Sequence, residues 1–226
     1  MKTIAIIVAG GKGKRMGKPK QFLKIEGKPM LEWTVAAFQR AQSIDGIILV
    51  VSKEDLAKAK RIRSAKIIEV VESGKERTDS VRNGLKVLPP SAEIVVIHDG
   101  ARPAVTVDII ERSVREAKKC GAIVAGVPVK DTVKKVESRK LKVERSLNRD
   151  ELWLAQTPQT FKVSLIRRAY AQPAEKVTDD AMLVEKLKIP VKMVMGAYEN
   201  LKVTTPEDLK LMAAILKDRG RCIWNT

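Results

Sequence analysis

Five short apolar runs rich in Ile and Val, separated by amphipathic stretches, constrain the fold of this chain more than any other feature. The runs lie near residues 3–9, 46–52, 66–71, 93–98 and 121–129. Continuous Ile and Val are typical of strands that are buried on both faces, because a half-exposed strand would alternate apolar and polar residues. The pattern therefore predicts an α/β fold: a Rossmann-like three-layer αβα sandwich with a mainly parallel sheet.

The stretches between the runs have the spacing of helices that bury one face. They cover residues 29–41, 53–65, 78–88 and 106–119, and a further helix is predicted over 204–220. Ser52, Thr78 and Thr106 are suited to cap three of these helices, because a side-chain oxygen can accept hydrogen bonds from the first free backbone N–H groups.

The segment 129–152 departs from this rhythm. It alternates polar and apolar residues around a charged, turn-like Glu-Ser-Arg-Lys centre, which predicts a protruding β-hairpin. A hairpin on its own is only marginally stable, so we expect it to pack on another surface. We predict a single domain over 1–226, with 129–152 a β-arm that mediates formation of a homodimer.

Composition limits the classes of partner. The 44 Lys and Arg residues against 27 acidic ones give a formal charge of +17, which suits a nucleic-acid ligand. The basic residues are spread along the chain, however, aromatic residues make up only 4%, and no nucleic-acid-binding motif is present, so no nucleic acid is expected. A solvated basic surface and sites for small polyanions both explain the charge.

Two further absences shape the expected setting. No apolar run approaches the length of about 18 residues that a membrane span needs, so no membrane association is expected. Cys120 and Cys222 have no partner at metal-ligand or redox-motif spacing, which favours a reduced, cytoplasmic location.

A glycine- and lysine-rich loop follows the first predicted strand. Glycine lets the backbone approach a phosphate closely, and the cations of the loop can neutralise a triphosphate. The loop is not a Walker A motif, because the required first glycine falls on Lys12 and the hydroxyl position on Pro19. It is not a dinucleotide fingerprint either, since the third glycine position falls on Met16.

The loop resembles instead the signature of nucleotide-sugar-type transferases, in which Gly-x-Gly-x-Arg-Met and Pro-Lys follow the first strand. The matching residues are Gly11 to Met16, and Pro19 with Lys20. A solvated glycine turn with incidental lysines is the alternative interpretation.

A second cluster, His98 to Pro103, stands at the end of a predicted strand. Ligands of open α/β sheets bind at the carboxyl ends of the strands, which places Asp99 to hold a divalent metal and Arg102 to hold a phosphate or hydroxyl. An ordinary helix cap is the other interpretation of Asp99. His98 is the only histidine of the chain and has no ligand-spaced companion, so a packing or hydrogen-bonding role is expected.

Six short motifs follow the loop in a fixed order. They are SGKERTDSVRNGL, HDGARP, PVKDTVK, LNRDELWLAQTPQTF, VTDDAMLVE and ENLKVTTPEDL. In this order they resemble the 2-C-methyl-D-erythritol 4-phosphate cytidylyltransferase family of the non-mevalonate isoprenoid pathway, over nearly the whole chain. The sequence differs from the usual pattern of the family at two positions. Gly100 stands where alanine is common in the family, and Lys75 stands where an acidic residue is frequent.

The resemblance implies a role for each matching residue. The implied catalytic residues are Arg15, Lys20 and Lys202. Residues implied to bind the nucleotide are Ala9, Gly10, Gly11, Gly74, Ser80 and Asp99, and Asp99 is also implied to hold Mg²⁺ or another divalent cation. Residues implied to bind the acceptor are Arg102, Thr132, Arg149, Thr178 and Lys202, with Thr132 and Arg149 acting across a dimer because the family's hairpin reaches the partner subunit.

The expected reaction is transfer of CMP from CTP to 2-C-methyl-D-erythritol 4-phosphate, with release of pyrophosphate. Two alternatives stay open. The nucleotide loop does not distinguish acceptors, so another polyol phosphate, such as ribitol or glycerol phosphate, is a possible substrate. A non-catalytic nucleotide- or RNA-binding protein is the alternative from another class.

Overall fold

A computed structural model of the protein describes residues 1–11, 13, 19–137, 140–173 and 177–222. Within this part of the chain the main sheet has seven strands in the spatial order β11-β7-β10-β6-β1-β4-β5. These strands are β1 (Lys2–Ala9), β4 (Gly46–Val51), β5 (Ile67–Glu72), β6 (Ala92–Asp99), β7 (Ala122–Pro128), β10 (Trp153–Lys162) and β11 (Lys192–Met195). Two short ribbons pair β2 (Lys24–Ile25) with β3 (Lys28–Pro29), and β8 (Lys134–Glu137) with β9 (Lys142–Ser146).

The sheet is mainly parallel, as the apolar runs predict. Every pairing is parallel except those of β10, which runs antiparallel to both β6 and β7. Alternate residues of one strand enter the cores on opposite faces: Ile47 and Leu49 of β4 on one side, Ile48 and Val50 on the other. Burial on both faces is why the strand reads as an unbroken apolar run.

Helices cover both faces of the sheet. One face carries α1 (Met30–Arg40), α2 (Leu56–Ala59) and α4 (Val107–Cys120), and the other carries α3 (Arg77–Lys86), α5 (Val163–Tyr170) and α6 (Ala181–Glu185). The last helix, α7 (Pro206–Cys222), packs with α1 and the β2–β3 ribbon around a third apolar cluster. This arrangement confirms the predicted three-layer αβα sandwich. No helix in the described ranges is both long enough and apolar enough to cross a bilayer.

Two predicted helix boundaries were wrong. The helix expected over 53–65 is a short 3₁₀ turn followed by α2, because beyond Ala59 the backbone bonds tighten from i−4 to i−3 partners, as in Ile62 N–H to the Ala59 carbonyl. Thr78 does not cap α3. The helix begins one residue earlier, and the backbone N–H of Glu76 donates to Asp79 Oδ2 at 3.2 Å.

The predicted hairpin is present as β8 and β9, an antiparallel pair connected to the main sheet at both ends. Its side chains lie largely in solvent, including three apolar ones: Val136, Leu141 and Val143. The hairpin protrudes as predicted. The part that 129–152 plays in dimerisation stays a prediction.

Gly84 sets the distance between α3 and the sheet. A Cβ at this position would lie only 2.7 Å from Cγ2 of Ile6 and 3.3 Å from Cγ2 of Val50. Real Cβ contacts are longer, and a β-branched side chain inside the core has little room to move. The absence of a side chain at Gly84 therefore lets α3 lie close enough to bring its first turn to the edge of the sheet.

We expect Gly84→Ala to lower the free energy of unfolding by about 1–3 kcal/mol, because overpacking outweighs the better helix propensity of alanine, which favours the variant by about 1 kcal/mol. Urea denaturation measures the change. Lys86→Ala, on the exposed side of the same helix, is the matched control and is expected to change stability by no more than about 0.5 kcal/mol. A Gly84→Ala protein more stable than the parent contradicts this account of the packing.

Candidate active site

A pocket of about 790 Å³ opens at the edge of the sheet where four neighbouring parallel strands end. Residues directly after each of these strands line it: Gly10 and Gly11 after β1, 52–54 after β4, 73–77 after β5, and Asp99 at the end of β6. The carboxyl edge of an open α/β sheet is where such folds bind their ligands.

Two glycines allow close packing on one side of the pocket: Gly10 lets the β1 loop lie against the β5 loop, and Gly74 lets the β5 loop lie against the first turn of α3. A Cβ on Gly10 would lie 2.1 Å from Cβ of Ser73, and a Cβ on Gly74 would lie 2.1 Å from Cβ of Asp79. A larger residue at position 10 would push the two loops apart, and one at position 74 would push the β5 loop away from α3. The backbone N–H of Gly74 donates to Ser80 Oγ at 3.1 Å, which joins the β5 loop to the first turn of α3.

Asp99 is the centre of the other side of the pocket, where its buried carboxylate faces three cations. Oδ1 lies 3.0 Å from Nε of Arg77, whereas Oδ2 lies 2.9 Å from Nζ of Lys202 and 3.6 Å from Nε of Arg102. Burial opposes the charged form of the carboxylate, but the cations outweigh burial, and they hold the pKa of Asp99 well below its usual range. The carboxylate is ionised at every physiological pH.

Lys20 and Lys202 meet on this side of the pocket. Both line it, and Nζ of Lys20 donates to the carbonyl of Val203 at 2.5 Å, next to Lys202 in the chain. The backbone N–H of Val203 in turn donates to the carbonyl of Ala101, two residues after Asp99. These bonds bring two cations that are distant in sequence to one end of the pocket, where they are suited to bind phosphate groups.

Arg102 lies behind the pocket. Its side chain is largely buried, Nη1 donates to the carbonyl of Asn200 at 2.8 Å, and Nε faces Asp99. Asn200 is itself fully buried and donates from Nδ2 to the carbonyl of Thr157 at 2.8 Å. Arg102 thus connects Asp99 to the 200–204 loop that carries Lys202.

His98 supports Asp99 through a directed chain of hydrogen bonds. Nε2 lies 3.3 Å from the carbonyl of Arg102, which can only accept, so Nε2 carries the proton. Nδ1 then accepts from the hydroxyl of Thr157 at 3.0 Å, and that hydroxyl oxygen accepts from the backbone N–H of Asp99 at 3.1 Å. Burial lowers the pKa of His98 to about 3. The ring is neutral and fully buried, as expected of a structural histidine.

The structure brings most of the predicted site residues together. Those that line the pocket are Ala9, Gly10, Gly11, Lys20, Gly74, Ser80, Asp99 and Lys202. Arg15 lies outside the described residues. No cluster of three or more potential metal ligands occurs in the described ranges, and Asp99 is the predicted metal ligand that faces the pocket.

Besides Arg102, three predicted acceptor residues do not line the pocket within one chain. Thr132 and Arg149 are exposed on the arm, where Nη1 of Arg149 donates to the carbonyl of Lys130 at 3.0 Å. Thr178 is also exposed, and its hydroxyl donates to Sδ of Met182 at 3.0 Å. Their roles in binding an acceptor stay predictions.

Arg77 was missed in the sequence. It lines the pocket and contacts Asp99 directly. A signal was available, because Arg77 follows the end of β5 by a few residues, within the motif SGKERTDSVRNGL, and so had to lie at the ligand-binding edge of the sheet. Its partners, however, are far away in sequence.

Comparison with known proteins identifies the family of this chain. Residues 3–218 match the family model described as 2-C-methyl-D-erythritol 4-phosphate cytidylyltransferase. The chain belongs to the 2-C-methyl-D-erythritol 4-phosphate cytidylyltransferase family. Membership of this cytidylyltransferase family makes the chain a nucleotidyltransferase, and it confirms the resemblance that the six motifs indicate.

Relatives named 2-C-methyl-D-erythritol 4-phosphate cytidylyltransferase are similar over nearly the full chain. The protein of Alkaliphilus metalliredigens is 45% identical, with 99% of this chain and 98% of that protein covered. The protein of Dehalococcoides mccartyi strain 195 is 47% identical, with 97% and 98% covered.

Solved structures agree with the fold. The 4-diphosphocytidyl-2C-methyl-D-erythritol synthase of Anaerococcus prevotii is 35% identical over 96% of both chains, with a TM-score of 0.86. The 2-C-methyl-D-erythritol 4-phosphate cytidylyltransferase of Thermus thermophilus is 32% identical over 96% of this chain and 100% of that one, with a TM-score of 0.79.

The burial of neutral His98 predicts a pH dependence of stability. Below its ordinary pKa of 6.5 the unfolded chain takes up a proton at His98, whereas the folded protein does not until about pH 3. The titration of His98 therefore lowers the free energy of unfolding as the pH falls, by up to about 1.4 kcal/mol for each pH unit. We expect His98→Asn to flatten the decline of stability between pH 6.5 and 4.5, measured by urea denaturation without added metal. Equal slopes for the variant and the parent contradict the assignment of a buried neutral ring.

Proposed function

We propose that the chain transfers the cytidylyl group of CTP to the phosphate of 2-C-methyl-D-erythritol 4-phosphate and releases pyrophosphate, in isoprenoid precursor biosynthesis. The observation that carries the proposal is the division of the pocket into two ends. Closely packed backbone of the β1 and β5 loops forms one end, and the cations around Asp99 form the other. A nucleoside triphosphate has the same division between a flat base and a polyanionic tail.

At the first end we propose that the base of CTP binds against Gly10, Gly11, Gly74 and Ser80, with Ala9 beneath it. Close packing of these loops brings their backbone N–H and carbonyl groups to the wall of the pocket, where they can contact the base. Backbone groups at fixed positions can read the hydrogen-bonding edge of a base because they do not rearrange.

At the second end we propose that Lys20, with Arg15 of the preceding loop, holds the phosphates of CTP. Lys20 is fixed through Val203 beside Lys202. The phosphate of the acceptor then lies near Lys202 and Arg102, and Thr178 contacts the hydroxyl groups of the acceptor. The attacking and the leaving groups are both polyanions, so cations between them lower the repulsion that opposes their approach.

The reaction is a direct displacement at the α-phosphorus of CTP. A phosphate oxygen of the acceptor forms the new P–O bond, and the bond from the α-phosphorus to the bridging oxygen of pyrophosphate breaks, so pyrophosphate leaves with the electron pair. A phosphate monoester has a second pKa of about 6 and is largely dianionic at neutral pH. No general base is needed, which agrees with a His98 that is buried and bonded through both ring nitrogens.

The cations act on the charge that develops during transfer. Negative charge increases on the α-phosphoryl oxygens and on the leaving pyrophosphate, and fixed cations in a partly desolvated pocket stabilise it without reorganisation. Asp99 holds Lys202 in place for this purpose, at 2.9 Å. Positioning and electrostatics therefore supply the catalysis.

Mg²⁺ or another divalent cation fits the site as an addition to CTP. Asp99 offers an ionised carboxylate at the phosphate end, and Mg²⁺ in nucleotide sites is commonly held by one or two carboxylates together with substrate phosphates. We propose Asp99 as the protein ligand. A bound divalent cation would supply further charge neutralisation for the triphosphate.

We propose that the enzyme is a homodimer formed through the arm. Exposed apolar side chains lie on the arm and beside its base: Val136, Leu141, Val143, Trp153, Leu154 and Tyr198. Apolar patches of this kind are typical of surfaces that bind another protein. A partner chain would cover them and would bring Thr132 and Arg149 toward the pocket, which lacks both within one chain.

The compartment that we propose is the cytoplasm, a location that cell fractionation tests. Cys120 is an exposed free thiol. Exposed thiols persist in reducing compartments, whereas secreted proteins tend to pair them.

The identity of the acceptor is the part of the proposal for which another substrate is an alternative. Ribitol phosphate and glycerol phosphate carry the same phosphate and hydroxyl groups in other arrangements, and the nucleotide end of the pocket cannot distinguish them. Specificity rests on contacts to the acceptor carbon chain.

An acceptor panel tests the function. We expect pyrophosphate release from CTP to require 2-C-methyl-D-erythritol 4-phosphate, with kcat/KM at least about tenfold above that for ribitol or glycerol phosphate, because mismatched hydroxyls leave polar groups of the site unpaired. The measurement is coupled pyrophosphate detection with Mg²⁺ present.

The omission of acceptor is the control for simple CTP hydrolysis. Preference for ribitol or glycerol phosphate assigns the enzyme to the alternative substrate. Binding of CTP without pyrophosphate release on any of the three acceptors indicates a non-catalytic protein and contradicts the proposal.

A further inference from the structure

Arg77 contacts two carboxylates that belong to different parts of the fold. Nε donates to Oδ1 of Asp99 at 3.0 Å, and Nη2 lies 2.8 Å from Oδ2 of Asp180. Asp99 ends β6 in the nucleotide pocket, whereas Asp180 stands at the beginning of α6. Burial would lower the pKa of Arg77, but Asp180 and Asp99 together raise it, so the guanidinium is charged.

Asp180 is fixed from several sides. It is fully buried, and its Oδ1 accepts a 2.5 Å hydrogen bond from the hydroxyl of Tyr170. The backbone N–H groups of Asp180 and Ala181 both donate to Oε1 of Gln159 at 3.0 Å. The segment that precedes α6 and includes Thr178 is therefore anchored at Asp180, and through Arg77 it is tied to Asp99.

This arrangement is poorly explained by stability alone. Buried ion pairs contribute little net stability, because desolvation of the charges offsets their attraction. Nη1 of Arg77 is also buried and has no hydrogen-bond partner among the described residues, which adds a cost. Arg82, on the same helix, forms the kind of ion pair that is common at protein surfaces: its partner is Asp79 at 3.1 Å, and both side chains are half-exposed.

We infer that Arg77 is a positioning residue that couples the nucleotide pocket to the 177–181 segment and thereby to the acceptor. The guanidinium contacts both carboxylates and so fixes the distance between Asp99 and Asp180. A change in the position of Asp99 therefore shifts the segment that contains Thr178. The inference rests on the proposed function, in which Thr178 contacts the acceptor while Asp99 serves the nucleotide.

Asp180→Asn is the variant that separates the two contacts of Arg77, since it removes the ion pair with position 180 and leaves Arg77 bound to Asp99. We expect the KM for 2-C-methyl-D-erythritol 4-phosphate to rise about tenfold, and the KM for CTP to stay within about twofold, because the nucleotide end keeps its contacts. Tyr170→Phe is the matched control. It removes a hydrogen bond to the same carboxylate but keeps the ion pair, so it should lower the melting temperature and leave both KM values within about twofold.

Hydrogen exchange provides a readout that is independent of the acceptor. In the parent enzyme, CTP with Mg²⁺ is expected to slow exchange at the amides of Asp180 and Ala181, and in Asp180→Asn this slowing is lost although CTP still binds by calorimetry. If Asp180→Asn does not fold, Arg77→Lys gives the hydrogen-exchange test alone: a single ammonium cannot hold both carboxylates, so the slowing at Asp180 and Ala181 is again expected to be lost.

Two results overturn the inference. One is an acceptor KM in Asp180→Asn equal to that of the parent, and the other is exchange at Asp180 and Ala181 that does not respond to CTP in the parent. Failure of the proposed function has a different signature, namely a parent enzyme that does not use the acceptor at all while the exchange response to CTP persists.

Discussion

The site depends on one buried carboxylate. Asp99 is 6% exposed and lies against Arg77, Lys202 and Arg102. A buried charge of this kind is costly unless it is paired, and a set of like charges would repel without it. The carboxylate therefore allows three cations to share a small space at the edge of the sheet. Each cation comes from a different segment, so Asp99 also defines how those segments meet.

The fold explains why these segments reach Asp99. Parallel strands end at one edge, which places the loops after β1, β4, β5 and β6 around a common pocket. The antiparallel strand β10 contributes Thr157. The hydroxyl of this residue forms hydrogen bonds with both His98 and the backbone N–H of Asp99. Chemistry that needs charge in fixed positions but no proton transfer suits such a frame, since Asp99 stands at the end of a central strand and holds Arg77 and Lys202 through ion pairs.

Much of this could be predicted from the sequence. Burial on both faces makes the strands of the core read as continuous apolar runs, so the layers and the mainly parallel sheet followed from periodicity, and the loop glycines followed from the need for close approach. The place of Arg77 at the edge of the sheet could be predicted, but its ion pair with Asp180 could not, because that contact depends on how α3 and α6 pack on the same face of the sheet. Thr78 was preferred as a cap on residue type, whereas the capping pair that forms uses Glu76 and Asp79.

The central claim is that a complete site needs the Asp99 pocket of one chain and the arm of another. Coexpression of Asp99→Asn and Arg149→Ala chains tests it most directly, since each variant alone lacks one part of every site. In a mixed dimer one of the two sites has neither defect, so random pairing should restore about a quarter of the parent activity. Activity of the mixture no greater than the sum of the separate variants contradicts a site shared between chains.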